Sequence, residues 1–240
     1  MATIADMMDE AADECSVSPP SSWVAATTLT YRDLKRFLTK TVNELLERVD
    51  WPDPIGLDTT ITGTGVETYN LPSDFKRLTR DDYSVYETTT TRRPCIPVPT
   101  NGQWTILQQQ GSAGGDRYYR TAGSEEAGYT ISFFQAPATG ASIVCSYVSK
   151  NWLTIGGVAG NEWTDNDALL LLPKNLVQMG VEWRFRRRKG LPFVDRLNEY
   201  EANLARLAND ARGIRKVDMT GASRMRSPFQ IPVPDFIPPT

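Results

Sequence analysis

The spacing of apolar residues changes twice along the 240-residue chain, and these changes restrict the possible folds more than any single motif does. Between Thr30 and Val49, apolar residues recur at steps of three, one and four, which predicts one amphipathic helix. Residues 57–154 instead contain short runs rich in Thr, Val, Tyr and Ile that are cut by Gly, Pro and Asn, as is typical of antiparallel strands. Helical spacing returns after Trp163. We therefore expect a β region inserted between helical segments.

Two more helices are predicted near the C-terminus. Pro173 suits the first turn of a helix that runs to about Lys189, because that turn leaves its N–H groups unpaired anyway. Gly190 and Pro192 interrupt the helical pattern. The last helix has apolar residues at alternating steps of four and three and is closed by Gly213: Phe193, Leu197, Tyr200, Leu204, Leu207 and Ala211. The N-terminal amphipathic helix cannot bury its apolar side alone, so we expect it to pack on these two helices.

Seven short strands are expected within the inserted region, with Thr100–Gln103 as an Asn-Gly hairpin turn. Their number and spacing favour an antiparallel sandwich or a small barrel.

The predicted fold class is α+β: a helical bundle scaffold with an inserted antiparallel β-sandwich or barrel-like domain and extended terminal arms. The bundle comprises residues 28–56 and 162–213, and the inserted domain comprises residues 57–161. Residues 1–27, which are acidic and end near a Pro/Ser stretch, are expected to form a flexible N-terminal arm. Residues 214–240 are Pro-rich and are expected to form an extended C-terminal arm.

Composition makes an enzyme an unfavoured interpretation. The chain has no histidine, which removes Ser-His-Asp and Cys-His nucleophile systems and His-ligated zinc. Its three cysteines are far apart and form no CxxC pair. Carboxylate, lysine or tyrosine chemistry stays possible. We expect no catalytic residue, no cofactor and no metal, and no run of residues is long and apolar enough for a membrane span.

Two minor groups of residues have both a structural and a functional interpretation. Asp165 and Asp167 could bind a hard cation, but the rest of a calcium loop is missing, so capping of a helix is favoured. Four tryptophans could form a platform for a sugar or a base, although core packing is commoner: Trp104, Trp152, Trp163 and Trp183.

The most distinctive segment of the sequence is basic and lies at the end of a predicted helix. It comprises Arg184, Arg186, Arg187, Arg188 and Lys189. The charge is uneven along the chain, because residues 1–56 carry 10 acidic and 5 basic groups (net −5) and residues 174–226 carry 6 and 13 (net +7). Three explanations stay open: a solvated helix face, salt bridges between subunits, or non-specific contact with a nucleic-acid backbone. If copies of the chain assemble around a channel, we favour a mixed role, with guanidinium groups bridging to carboxylates of adjacent subunits and at most one or two facing the channel.

The C-terminal arm alternates apolar residues with prolines and polar residues. Such a segment cannot bury its apolar groups in its own helix bundle, so a groove on a neighbouring subunit or on another protein is expected to receive it. The residues concerned are Phe229, Ile231, Val233, Phe236 and Ile237.

The order of these segments resembles a known family. The NLPSDF stretch at Asn70–Phe75 opens the β region, and a YYR…GYTISFFQAP hairpin leads into SIVCSYVSKNW. LLLLPKNLVQMGVEWRFRRRKGLPF then precedes EYEANLARL. From about Thr28 to Gly213 the chain is similar to the head-to-tail connector adaptors of tailed bacteriophages, which form a ring below the portal.

This resemblance implies a structural virion protein of the neck, made in the host cytoplasm. It implies a ring, often twelvefold, that joins the portal to a tail or nozzle protein and leaves a channel for double-stranded DNA. It also implies that the C-terminal arm docks on the portal, and it brings no catalytic residues. Two other classes are kept as alternatives: a β-sandwich module that recognises a glycan or receptor from a helical base, and a carboxylate-dependent hydrolase.

Overall fold

The structure, a computed structural model, describes residues 3–80, 84–89, 93–111 and 116–211. Five α-helices lie in these ranges: α1 (Ile4–Glu14), α2 (Leu29–Arg48), α3 (Asn101–Gln110), α4 (Lys174–Lys189) and α5 (Val194–Ala211). Three of them, α2, α4 and α5, lie where the apolar spacing predicts helices. The apolar positions of α5 face the core as expected, with Tyr200 and Leu204 buried.

The strands in the described ranges form three sheets. The five-stranded sheet contains β1 (Gly56–Thr62), β3 (Phe75–Leu78), β4 (Val85–Glu87), β5 (Arg93–Pro94) and β9 (Ser142–Ser149). The four-stranded sheet contains β2 (Thr68–Asn70), β6 (Ile96–Pro97), β7 (Tyr118–Ser124) and β8 (Gly128–Phe134). The three-stranded sheet contains β10 (Leu153–Ile155), β11 (Val158–Gly160) and β12 (Leu169–Leu170).

Strand β9 organises the five-stranded sheet. It pairs with β1 from Gly56↔Val148 to Thr62↔Ser142, and with both β3 and β4, all antiparallel. In the four-stranded sheet, β8 pairs antiparallel with β2 and β7, whereas β6 runs parallel to β7.

Side chains of the two larger sheets meet in one apolar cluster. Ile143 and Cys145 of β9 are fully buried there, as are Ile131 and Phe133 of β8. The α+β class predicted from the sequence is confirmed, and the described strands form no closed barrel.

The prediction of a flexible acidic arm at residues 1–27 is wrong for most of that segment. Residues Ile4–Glu14 form α1, whose side chains Met7 and Met8 are fully buried in the helical core. A capping box between Thr3 and Asp6 fixes the start of the helix. The acidic residues dominated the sequence pattern, but they occupy the outer side of an amphipathic helix.

The segment after α1 is also held against the helices. The ring of Trp23 is only 2% exposed, and its Nε1 donates a hydrogen bond to Asp9 at 2.7 Å. The Lys35 ammonium donates to the carbonyls of Trp23 and Ala26. These contacts anchor the chain between α1 and α2.

The predicted Asn-Gly hairpin turn and the strand after it are also wrong, because Asn101–Gln110 forms α3. The Thr100 hydroxyl accepts a hydrogen bond from the Gln103 N–H and caps the helix. Trp104 is buried against Phe134, which gives the short helix an apolar anchor. Gly111 ends the helix at φ 69°, a conformation that favours glycine.

The NLPSDF segment has a structural role at the base of β9. The Asp74 carboxylate accepts hydrogen bonds from the Tyr147 hydroxyl at 3.1 Å and from the Ser149 hydroxyl at 2.8 Å. Nearby, the Arg77 guanidinium donates to the carbonyls of Leu46 and Val49 at the end of α2. The Arg77 contacts join the five-stranded sheet to the helical core.

Helices α2 and α4 approach closely at Gly180. A Cβ added to this glycine would lie 2.2 Å from the Thr41 Cγ2 atom. Thr41 is fully buried, and its hydroxyl donates to the Phe37 carbonyl at 2.8 Å, which holds the side chain in place. The absence of a side chain at residue 180 therefore sets the distance between the two helices.

We expect Gly180→Ala to destabilise the protein. Overpacking costs about 1–3 kcal/mol and outweighs the gain of about 1 kcal/mol in helix propensity. Urea unfolding of Gly180→Ala, Thr41→Ala and the double variant measures the coupling between the two positions. Gly102→Ala is the matched control, because this glycine also lies in a helix but has open space around it. Equal effects of the two glycine substitutions would contradict the close approach.

Candidate assembly surface

The basic segment at the end of α4 divides into two groups with different surroundings. Gly190, at φ 70°, ends the helix directly after the segment. Arg184 and Arg186 are partly buried and contact other helices, whereas Arg187, Arg188 and Lys189 are exposed. The sequence prediction treated these five residues as one cluster, and the structure separates them.

Arg184 points into the junction of α2 and α4. Its guanidinium donates to the Gly180 carbonyl at 2.8 Å and to the Thr41 hydroxyl at 3.0 Å, and it forms an ion pair with Glu44. It also stacks over the Trp183 ring at 4.3 Å. With only 11% of its side chain exposed, Arg184 is a structural element of the helical core.

The ion pair of Arg184 continues into a chain of charges across three helices. Glu44 also binds Arg48 at 2.7 Å, and Arg48 binds Glu201 of α5 at 2.6 Å. The hydrogen bonds from Arg48 lower the pKa of the Glu201 carboxyl. Because the folded-state pKa is depressed, the stabilisation from Glu201 is present at neutral pH and is lost as the pH falls through that value.

Arg186 contacts α1. Its guanidinium donates to the Glu14 carbonyl at 3.1 Å and lies 4.0 Å from the Glu14 carboxylate. Glu182 is buried close by, 3.5 Å from Arg196. Burial raises the pKa of the Glu182 carboxyl, so its contribution to stability becomes less favourable as the pH rises towards neutrality.

A second set of cations lies beside the exposed end of α4, and the sequence analysis did not identify it. Arg32, Arg36 and Lys40 are exposed on α2 at steps of four residues, so they share one side of the helix. Their i, i+4 spacing on the polar side of the predicted helix was the signal that could have revealed them. We call the combined set the basic face: Arg32, Arg36, Lys40, Arg187, Arg188 and Lys189.

A depression connects the two parts of the basic face. It has a volume of about 390 Å³ and is lined by Phe37, Lys40, Trp183, Arg184, Arg187 and Arg188. Among the described residues, one carboxylate lies within 4.0 Å of an exposed cation of the basic face. It belongs to Asp33 and is 4.0 Å from the Arg188 guanidinium. Arg188 keeps 66% of its side chain exposed despite this neighbour. The surface is therefore strongly positive at the end of the α2–α4 pair.

The other features weighed as sites have structural roles. Asp165 accepts a hydrogen bond from the Asp167 N–H at 3.0 Å and thus holds a local turn before β12, instead of the predicted helix start. Trp104 and Trp152 are buried. Burial raises the pKa of both the Cys95 and Cys145 thiols to about 12, so neither is a thiolate at neutral pH. No cluster of residues able to hold a metal ion lies within the described ranges.

The apolar positions of the C-terminal arm, Phe229, Ile231, Val233, Phe236 and Ile237, lie outside the residues that the structure describes. Their role stays a prediction.

The division of the basic segment predicts different effects of two like substitutions. Arg184→Gln should lower the free energy of unfolding by about 2 kcal/mol, because it removes a largely buried ion pair with Glu44 and the hydrogen bond to the buried Thr41 hydroxyl. Arg187→Gln should change it by less than about 0.5 kcal/mol. Urea unfolding at neutral pH measures both variants. Similar losses would show that the two arginines do not differ in role.

Comparison with known proteins identifies a family for the chain. Among the helices in the described ranges, none has the length and apolar character needed to cross a membrane. None of the curated proteins matches the chain. The family model described as SU10 adaptor protein matches residues 2–231, which is nearly the whole chain. The chain therefore belongs to the SU10 adaptor protein family and is a structural adaptor of a bacteriophage particle.

Proposed function

We propose that the protein assembles into a ring at the neck of the virion, where it joins the portal to a tail or nozzle protein and leaves a channel for double-stranded DNA. The observation that carries this proposal is the match to the adaptor family over residues 2–231. A dodecamer is the proposed stoichiometry, because it would match the portal symmetry expected from the resemblance. The protein acts as a structural component without catalysis.

The arrangement of the helices supports an assembling role. Charges inside the α1–α2–α4–α5 unit are largely paired within the chain, as in the series Arg184, Glu44, Arg48 and Glu201. This pairing makes the helical unit a stiff block, while the basic face offers a surface whose charges have few partners in the chain. A stiff block with a charged outer face suits a subunit that repeats around a ring, because each copy must present the same surface to its surroundings.

The β region is the second part of the proposal. We propose that its two larger sheets, which share the apolar cluster around Ile131 and Ile143, form a sandwich-like layer that projects from the ring. The contacts of Arg77 with the end of α2 support a fixed orientation of this layer relative to the helices.

Mixing with the cognate portal protein tests the proposed function. We expect the isolated chain to be a monomer or a loose oligomer and to form a closed ring on the portal, because a templated head-to-tail contact closes only at the right rotation. Analytical ultracentrifugation measures the mass of the complex, and electron microscopy shows its symmetry. Absence of a complex between the two proteins would contradict the adaptor role at the portal.

We further propose that the C-terminal arm docks on the portal or on a neighbouring subunit. Deletion of residues 227–240 removes the apolar positions from Phe229 to Ile237 and should prevent assembly. Proline residues restrict the free chain, so an apolar segment that contains them loses less conformational entropy when it binds in a groove. The shortened chain should have the same free energy of unfolding as the full chain, as measured by urea unfolding followed by circular dichroism. Normal assembly of the shortened chain on the portal would refute the role of the arm.

A further inference from the structure

Five of the six cations of the basic face are left over after the charges of the helical unit are paired, and the sixth, Arg188, lies 4.0 Å from Asp33. The other cations of these helices mostly have partners inside the chain: Lys35 binds carbonyl groups, and Arg48, Lys174, Arg184, Arg186 and Arg196 bind carboxylates. By contrast, Arg32, Arg36, Lys40, Arg187 and Lys189 are exposed and are not needed for this internal pairing. The charge of the basic face is therefore directed outwards.

We infer that the basic face binds the phosphate backbone of double-stranded DNA without reading its sequence. The inference deepens the proposed function, because it assigns the DNA contact of the adaptor to particular residues. It rests on that function only for the setting in the virion, since binding of DNA can be measured on the isolated chain.

The spacing of the cations suits a regular polyanion. From Arg32 through Arg36 to Lys40 there are eight residue steps of α2, which is about 12 Å along the helix axis. One strand of duplex DNA carries a phosphate about every 3.4 Å along its axis, so this length corresponds to about three phosphates. Lys40 borders the depression that Arg187 and Arg188 also line, so α4 extends the positive surface sideways from the α2 row.

Internal pairing makes a second copy a poorer partner for the basic face. Eight acidic residues of the helices already lie within 4.0 Å of a cation in the same chain: Glu10, Glu14, Asp33, Glu44, Glu47, Glu182, Glu199 and Glu201. An adjacent subunit that used these eight residues would have to break their internal pairs to bridge to the basic face. DNA phosphates need no such exchange, because they release only condensed counterions.

The chemistry of the face also suits DNA that moves. Contacts between flexible cationic side chains and phosphates carry no sequence information, and proteins that bind in this way slide along DNA. Arg188 is 66% exposed, as expected for a side chain that follows a moving backbone. The basic face therefore attracts DNA without fixing the position of the duplex along the protein.

Fluorescence anisotropy with two 30-base-pair duplexes of unrelated sequence tests the inference on the full chain. We expect equal affinity for both duplexes and a steep loss of affinity between about 50 and 200 mM salt. Arg36→Gln with Lys40→Gln should weaken binding at least about tenfold at the lower salt concentration and reduce the slope of log K against log salt by about two. Both side chains are exposed, so the fold should be unaffected.

The matched control is Arg93→Gln with Arg206→Gln, which removes the same charge from two exposed positions outside the basic face. This control should keep most of the affinity and slope. An equal loss in the control would mean that only net charge matters, and would overturn the inference. Absence of duplex binding at low salt would overturn it as well. So would tighter binding of a polyglutamate peptide than of the duplex, which would point to an acidic protein instead.

Sedimentation of the same variants with the portal protein separates the two proposals. If the Arg36 and Lys40 variant still forms the ring but binds DNA weakly, both proposals stand. If it binds DNA normally but fails to assemble, the basic face is a subunit or portal interface and the DNA inference fails. If the wild-type chain binds DNA but never joins the portal, the proposed function fails and the DNA inference stands.

Discussion

The close approach of α2 and α4 at Gly180 and Thr41 is the contact on which the rest of the structure depends. The missing side chain of Gly180 lets Arg184, one turn further along α4, reach the Thr41 hydroxyl and Glu44. Glu44 then holds Arg48, and Arg48 holds α5 through Glu201. One short interhelical distance thus fixes the place of three helices and buries most of the Arg184 side chain.

The same pairing decides the character of the outer surface. Charges near the helix junctions satisfy each other within the chain, and most of the cations that remain on the helices lie together on one side of α2 and α4. The negative N-terminal part is not a separate acidic partner, because α1 packs on α4 and gives Glu14 to Arg186 and Arg196. Most of the opposite charges seen along the sequence are thereby used to build the scaffold. The cations that remain exposed are available for contacts with other components of an assembled particle.

The β region depends on the helices through a few directional contacts. Arg77 donates to carbonyls at the end of α2, where helix termini leave acceptors without partners. Asp74 ties β9 through Tyr147 and Ser149, and β9 carries β1, β3 and β4. The NLPSDF segment that carried the resemblance to connector adaptors therefore has a physical function at the junction of sheet and helices.

The sequence alone determined the features that depend on local spacing. The helices α2, α4 and α5 and the position of the β region follow from apolar periods that act over neighbouring residues. The sequence did not predict α1, because its acidic composition outweighed its short apolar side. It did not predict α3, because the Asn-Gly pair suggested a turn. In both helices the apolar side is stabilised only by tertiary contacts. The sequence also could not divide the basic segment. Arg184 meets Glu44 across 140 residues and Arg186 meets the Glu14 carbonyl across 172, so only the folded chain decides which cations are neutralised and which face the surroundings.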